Sequence, residues 1–247
     1  MKTIQKILFS IACITIISAC KHVYYIEQKN TQYKIEQIDS KTQIEQIIQP
    51  YKIQLDSAMN EIIGHCATTL EKEQPEGTLG NFLAEAIKIQ AEKEYKTTVD
   101  LAIINNGGIR IPSLPKGNIT RRIIFELMPF DNVLIIIKTP GDSLIKCFNV
   151  MAEKGGWPIA GAKYVINKNK AKNILIQDKP IEKSKIYTLA ISDYLANGGD
   201  NLTMFNKLET INTGYLQRNA IIDYIIYKQQ NNQTISSSMY QNVKYEQ

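Results

Sequence analysis

The ten residues Leu101–Arg110, LAIINNGGIR, constrain this chain more tightly than any other stretch. Leu101, Ala102, Ile103 and Ile104 have the composition and length of a buried strand, and the run stops at Asn105-Asn106-Gly107-Gly108. Short amide side chains and glycines make positive φ inexpensive there, so the strand ends in a tight polar turn. Such a tip exposes backbone N–H groups and amide side chains. Arg110 adds a five-donor fork suited to phosphate or carboxylate. On the local stretch two readings stay open: a surface turn with an exposed arginine, or one wall of an anion-binding pocket.

A chain of 247 residues that is 44% apolar is expected to form one or two domains with a sizeable core. Its formal charge of +5 is scattered without a basic block, which argues against nucleic acid as a partner. Arg121-Arg122 and the run Lys168-Asn169-Lys170-Ala171-Lys172 read as solvated faces.

The first twenty residues are of a different kind. Met1 to Lys6 is positive, Ile7 to Ile17 is an apolar run of export-signal length, and Ser18-Ala19 places small residues before Cys20. This resembles the lipobox of bacterial lipoproteins, with Ile17 where Leu is usual. The resemblance implies cleavage before Cys20, lipidation of that cysteine and a chain anchored at the bacterial cell envelope rather than spanning a bilayer. An uncleaved signal anchor is the alternative. Removal of residues 1–19 takes away Lys2 and Lys6, leaving 27 basic against 24 acidic residues and a charge of +3. Beyond the signal, Cys66 and Cys147 read as buried small hydrophobes in helical patterns, or less readily as one bridge.

Residues 20–37 read as a tether, 38–228 as the folded domain and 229–247 as a polar tail with too little apolar content to need a fold. Ile44, Ile47, Ile48, Tyr51, Leu55, Ala58, Met59 and Ile62 recur at helical spacing, with Pro50 starting or kinking the helix and His65 at its end. A second helix follows Gly77-Thr78-Leu79-Gly80-Asn81, which caps it or contacts a ligand, and runs through about Tyr95. Thr120 caps a short helix through Glu126. Strands are expected at Val133–Lys138, Ala162–Ile166, Ala171–Gln177 and Ile186–Ala190, and helices at Asp142–Met151 and Tyr215–Tyr227. Elements alternate without a βαβ rhythm, and Gly107-Gly108 is neither GxGxxG nor a P-loop. The fold class is therefore α+β, a layered α/β domain with mixed β-sheets.

Three strand-exit loops carry unusual polar and aromatic content: Asn105 to Arg110, Phe130 with Asn132, and Tyr194 with Asp200. Phe130 and Tyr194 suit the two faces of a planar ring, Asn105 and Asn132 its edge, Asp200 paired sugar hydroxyls, and Arg110 a phosphate. Three unrelated structural turns are the alternative.

Taken in order, IIQPYKIQLDSAMNEIIG, LGNFLAEA, IINNGGIR, GNIT, MPFDN, TPGDSL, YLANGGDNL and INTGYL resemble the C-terminal, substrate-binding domain of the 5'-nucleotidase family. The resemblance covers Ile38 to Tyr227, and NGGIR, PFDN and LANGGD are its most specific pieces. It implies base contact by Asn105, phosphate contact by Arg110, and stacking by Phe130 and Tyr194, the latter a phenylalanine in many relatives. It further implies a polar contact from Asn132, close approach at Gly107, Gly108 and Gly161, and ribose hydroxyls held by Asp200. One family arginine before LGN aligns with Glu73, whose carboxylate would repel phosphate, while Lys72 substitutes imperfectly as a point charge. Glu85 replaces the usual Asp before Ala.

Full-length relatives carry an N-terminal metallophosphatase domain whose two metal ions are held by His, Asp and Asn. This sequence has only His22 and His65, and no cofactor is expected in the chain itself, divalent metals belonging to a partner catalytic domain. The resemblance thus implies the nucleotide- or nucleoside-binding subunit of a split 5'-nucleotidase, with no catalytic residue of its own and a separate metallophosphatase subunit as partner. A non-catalytic solute-binding or structural lipoprotein is the alternative. The mature protein is expected to begin at a lipid-modified Cys20. Intact-mass spectrometry of the membrane-bound protein checks this, and retention of Met1 would sink the lipid reading.

Overall fold

The computed structural model describes residues 43–246, so the signal, the tether and Cys20 lie outside the described residues. The chain divides into two compact units, Met1–Gln46 and Ile47–Gln247. Of the first, only the residues opening helix α1 (Gln43–Met59) are described. Pro50 lies inside α1, so one helix runs through it, and Ile47, Ile48, Tyr51 and Leu55 of its apolar stripe are exposed.

The second unit is built around a five-stranded sheet. In spatial order it contains β12 (Thr210–Ile211), β6 (Leu134–Pro140), β11 (Ile186–Ser192), β3 (Leu101–Ile103) and β7 (Ile159–Ala160). β11 and β3 are parallel and every other pair is antiparallel, so the sheet is mixed. The apolar runs predict burial on both faces, because successive side chains of a strand point to opposite sides. Leu101, Ile103, Ile135, Ile137, Leu189 and Ile191 enter one hydrophobic cluster, whereas Ala102, Ile104, Leu134, Ile136 and Ala190 enter the other.

Helices α2 (Thr78–Tyr95) and α6 (Gln217–Gln230) supply the second of these clusters, through Leu83, Ile87, Ile221 and Ile225. The opposite face is covered by α4 (Gly141–Glu153) and by a four-stranded sheet. That sheet orders β10 (Lys179–Pro180), β9 (Lys170–Ile176), β8 (Ala162–Asn167) and β13 (Val243–Tyr245). Two short pairs complete the fold: β1 (Ile62–Cys66) with β5 (Gly117–Thr120), and β2 (Leu70–Glu71) with β4 (Ser113–Leu114). Helices α3 (Arg121–Leu127) and α5 (Asp193–Ala196) lie at loop exits.

The structure corrects two readings. His65 and Cys66 are not in a helical segment but on strand β1, opposite Asn118 and Gly117 of β5. The helical stripe ends at Met59, and backbone pairing with a segment over fifty residues away takes the following β-branched residues. Cys66 and Cys147 are free thiols buried in opposite clusters, and burial pushes both upward in pKa. They form no bridge.

The polar tail is also packed. Ile235 is 1% exposed and bridges Cys66, while β13 extends the four-stranded sheet parallel to β8. Glu76, buried, accepts from the backbone N–H groups of Tyr240 (3.0 Å) and Asn242 (3.2 Å) and from Asn81 Nδ2 (2.7 Å). A few well-placed apolar residues and backbone bonds replace the apolar content that composition lacked. Ile235→Ala is expected to destabilise the chain by about 2–4 kcal/mol, the usual range for emptying a buried site. Urea unfolding followed by circular dichroism checks this; a change near zero would mean the tail contributes nothing.

Candidate functional site

Strand direction brings the three polar loops together. Because β3 and β11 are parallel, with Leu189 opposite Leu101 and Ala190 opposite Ala102, both end at the same edge of the sheet. β6 runs the other way, with Leu134 opposite Ser192, so it begins at that edge. The turn after β3, the loop before β6 and helix α5 after β11 therefore meet, at the carboxyl ends of parallel strands where α/β sheets commonly hold ligands.

The result is a cavity of about 330 Å³ lined by Asn105, Gly107, Gly108, Arg110, Phe130, Asn132, Tyr194 and Asp200. That volume lies at the small end of the range for small-molecule sites. Phe130 and Tyr194 are 45% and 47% exposed, whereas Phe82, Phe148 and Phe205 are buried in the cores. Aromatic rings held half out of a core and turned to one cavity offer flat apolar faces to a planar ligand. The polar groups are connected as well. Asn105 Nδ2 donates to Asp200 Oδ2 at 2.6 Å, and the Tyr194 hydroxyl lies 3.4 Å from Asp200 Oδ1.

Arg110 contributes the cation. Its Nη1 donates to the carbonyl of Gly107 at 3.3 Å, and its guanidinium carbon lies 5.7 Å from the centre of the Phe130 ring, within cation–π range. The side chain is exposed, so most of its donors face solvent and are available to an anion. Asp200 supplies the opposing charge and a pure acceptor, suited to hydroxyl donors.

Local chemistry explains how these groups are held. Residues 106–108 form one 3-10 turn, with Asn106 Nδ2 donating to the carbonyl of Gly156 at 2.7 Å. Ser192 Oγ accepts from the N–H of Leu195 and caps α5. Asp193 Oδ1 accepts from the N–H groups of Val133 (3.0 Å) and Tyr194 (2.8 Å), tying the loop before β6 to the helix carrying Tyr194. A Cβ on Gly199 would stand 2.6 Å from the Tyr194 ring, so only glycine lets that ring lie against the turn.

Gly161 is the exception among the expected residues. It lies between β7 and β8, with φ +79° and its Cα facing the Asp100 carbonyl, and lines a separate cavity with Gln177 and Asp178. Its left-handed φ and the close approach of the Asp100 carbonyl both require glycine there. The sequence reading also left Lys72 and Glu73 unplaced. Lys72 Nζ donates to the carbonyl of Ile109 at 2.9 Å, next to Arg110, whereas Glu73 is exposed and not among the lining residues. Glu85 accepts from the Tyr224 hydroxyl at 3.2 Å, away from the cavity.

Two contributors were missed in the sequence, Asp193 and Arg218. Asp193 adjoins Tyr194 and had a local signal, an acidic residue in the first turn of a helix. Arg218, on α6, bonds the loop carrying Phe130 and had none.

Among the described residues no group of three or more His, Cys, Asp or Glu side chains comes together as a metal site. The donor set for the family's two metals does not fit here, and no step is assigned to a metal on these residues. The eight lining residues include no histidine, cysteine, serine or threonine. Their chemistry suits holding a flat ring, accepting from hydroxyls and neutralising an anion.

Comparison with known proteins agrees with the architecture. The family model described as "5'-nucleotidase, C-terminal domain" matches residues 58–207. Protein UshA of Yersinia enterocolitica is 28% identical over 183 residues, covering 72% of this chain and 32% of that protein. A 5'-nucleotidase of Vibrio parahaemolyticus is 26% identical over 192 residues, with the same two coverages, 72% and 32%. The chain thus spans about a third of the length of these relatives. Among solved structures, the 5'-nucleotidase precursor of Thermus thermophilus superposes with a TM-score of 0.71 at 19% identity, covering 81% of this chain and 42% of that one. At that identity the superposition speaks for the fold, and the family match, which takes in more than half of the chain, for its ancestry. The chain belongs to the 5'-nucleotidase C-terminal domain family.

Proposed function

We propose that this chain binds a nucleotide or nucleoside in the cavity between its three loops and positions it for a metallophosphatase carried on a separate chain. The observation that carries the reading is the convergence of eight residues from three distant segments on one cavity. Phe130 and Tyr194 stack on the base and Asn105 and Asn132 contact its edge. Asp200 accepts from the sugar hydroxyls, which take over from Asn105 and Tyr194 as its partners. Arg110 holds the phosphate. Lys72, at the carbonyl before Arg110, adds a second positive charge to that side of the loop, while Glu73 stays out of the cavity.

A metallophosphatase partner, with its metals bound, would supply the activated water. This chain's residues do the binding and orienting, which sets how often the phosphate is presented correctly to that water. The reading places the protein at the bacterial cell envelope, held by lipid on Cys20.

Titration calorimetry of the soluble chain with adenosine and AMP tests the pocket. Phe130→Ala and Tyr194→Ala are each expected to weaken both ligands by about 1–3 kcal/mol, roughly 5- to 150-fold, the value of one base-aromatic stack. No heat with any nucleobase compound would remove the binding claim. Arg110→Ala is expected to weaken AMP by about 1.5–3 kcal/mol, in the range of a hydrogen bond to a charged group, and adenosine little. Equal losses for the two ligands would take the phosphate away from Arg110. Metal-dependent hydrolysis of AMP is expected only when a metallophosphatase chain is added. Phosphate release by this chain alone would overturn the division of labour.

A further inference from the structure

Phe130 stands on a loop with its ring half exposed, so core packing of the ring does not fix its direction. The backbone of the loop is held from behind by Arg218. That side chain, on the first turn of α6, is only 6% exposed. Its Nη1 donates to the carbonyls of Met128 and Phe130, each at 3.2 Å, and its Nη2 pairs with the carboxylate of Asp131. The guanidinium lies over the Phe125 ring at 4.1 Å. Next to it, the N–H of Gln217 donates to the carbonyl of Asn132 at 2.8 Å.

Every residue from Met128 to Asn132 except Pro129 is therefore bonded to one of two consecutive residues of α6, the first three to Arg218 and Asn132 to Gln217. A planar fork with fixed donor directions suits this better than any other side chain, because it sets two carbonyls and one carboxylate relative to each other. Cationic donors also suit the carbonyls at the end of a helix, here the end of α3. The Arg218 Nε has no partner among the described residues, so the two Nη groups and the Phe125 face alone place the guanidinium.

We propose that Arg218 is a positioning residue for the pocket: it fixes the Met128–Asn132 backbone so that Phe130 and Asn132 stay aimed at the cavity. The geometric part stands on the clamp alone, and its consequence for ligand rests on the nucleobase-binding reading. Arg218 touches no lining surface itself and acts through the backbone of residues that do.

Hydrogen exchange and calorimetry on the same variants separate the two parts. Arg218→Met is expected to speed exchange of the Met128 and Val133 amides, the two in this segment that donate hydrogen bonds, about tenfold or more relative to α2. It is also expected to weaken adenosine and AMP by one common factor of about tenfold, the loss of most of a stacking contact. Their affinity ratio is then unchanged, unlike the effect of Arg110→Ala. Arg218→Lys, which keeps the charge but not the fork, is expected to recover only part of both effects. Unchanged loop exchange in a folded Arg218→Met protein would overturn the clamp. Faster loop exchange with unaltered ligand affinity would overturn its role in the pocket. If the wild-type chain binds neither ligand, the nucleobase reading falls and with it the pocket role, while exchange still decides the clamp. Should Arg218→Met not fold, Asp131→Asn decides, since its carboxylate is largely solvent-exposed. It is expected to speed exchange in the same segment at least twofold, and no change there would overturn the clamp.

Discussion

The site depends on one strand pairing. β3 and β11 are joined in parallel in an otherwise antiparallel sheet, so their carboxyl ends stand side by side, and antiparallel β6 starts where they stop. A slip of one residue in this pairing would exchange the two faces of the strands. Since Leu101 and Ile103 belong to one core and Ala102 and Ile104 to the other, such a slip would put large side chains where alanines now fit. The two-sided core therefore locks the register, and the register places the loops. Stability and site geometry share this origin.

Around that frame the polar groups are linked to one another. Asn105, Asp200 and Tyr194 form one connected set, and Asp193 joins the loop before β6 to α5. Such networks hold donors and acceptors in position relative to one another. The two aromatic walls are presented differently. Tyr194 leans on a glycine that leaves it room, while Phe130 depends on backbone bonds from α6. Both rings are half exposed at the cavity.

The charge distribution has the same logic. Arg110 and Asp200 line one cavity but are not bonded to each other; Arg110 is engaged by a carbonyl and an aromatic face, Asp200 by an amide and a phenol. A salt bridge between them would leave both satisfied internally. Kept apart, they offer a cation and an acceptor to a single molecule.

Sequence by itself determined the strongly periodic elements and the identity of the lining residues. The strands at Leu101–Ile104, Val133–Lys138 and Ile186–Ala190, the helix through about Tyr95 and the helices at Asp142–Met151 and Tyr215–Tyr227 are expected from local patterning, and each overlaps an element of the fold. NNGGIR, PFDN and YLANGGD carried the eight cavity residues because their chemistry is local to each motif. Tertiary structure alone decided what long-range pairing controls. Ile62–Cys66 continues a helical stripe in sequence, yet pairs as a strand with Gly117–Thr120. The polar tail contains few apolar residues, yet Ile235 and Val243 are buried and Glu76 holds its backbone. Gly161 lines a separate cavity, and Arg218 looked like any helical arginine until α6 was set behind the Phe130 loop. Periodicity records which face of an element is apolar; it does not record which distant backbone will supply its hydrogen bonds.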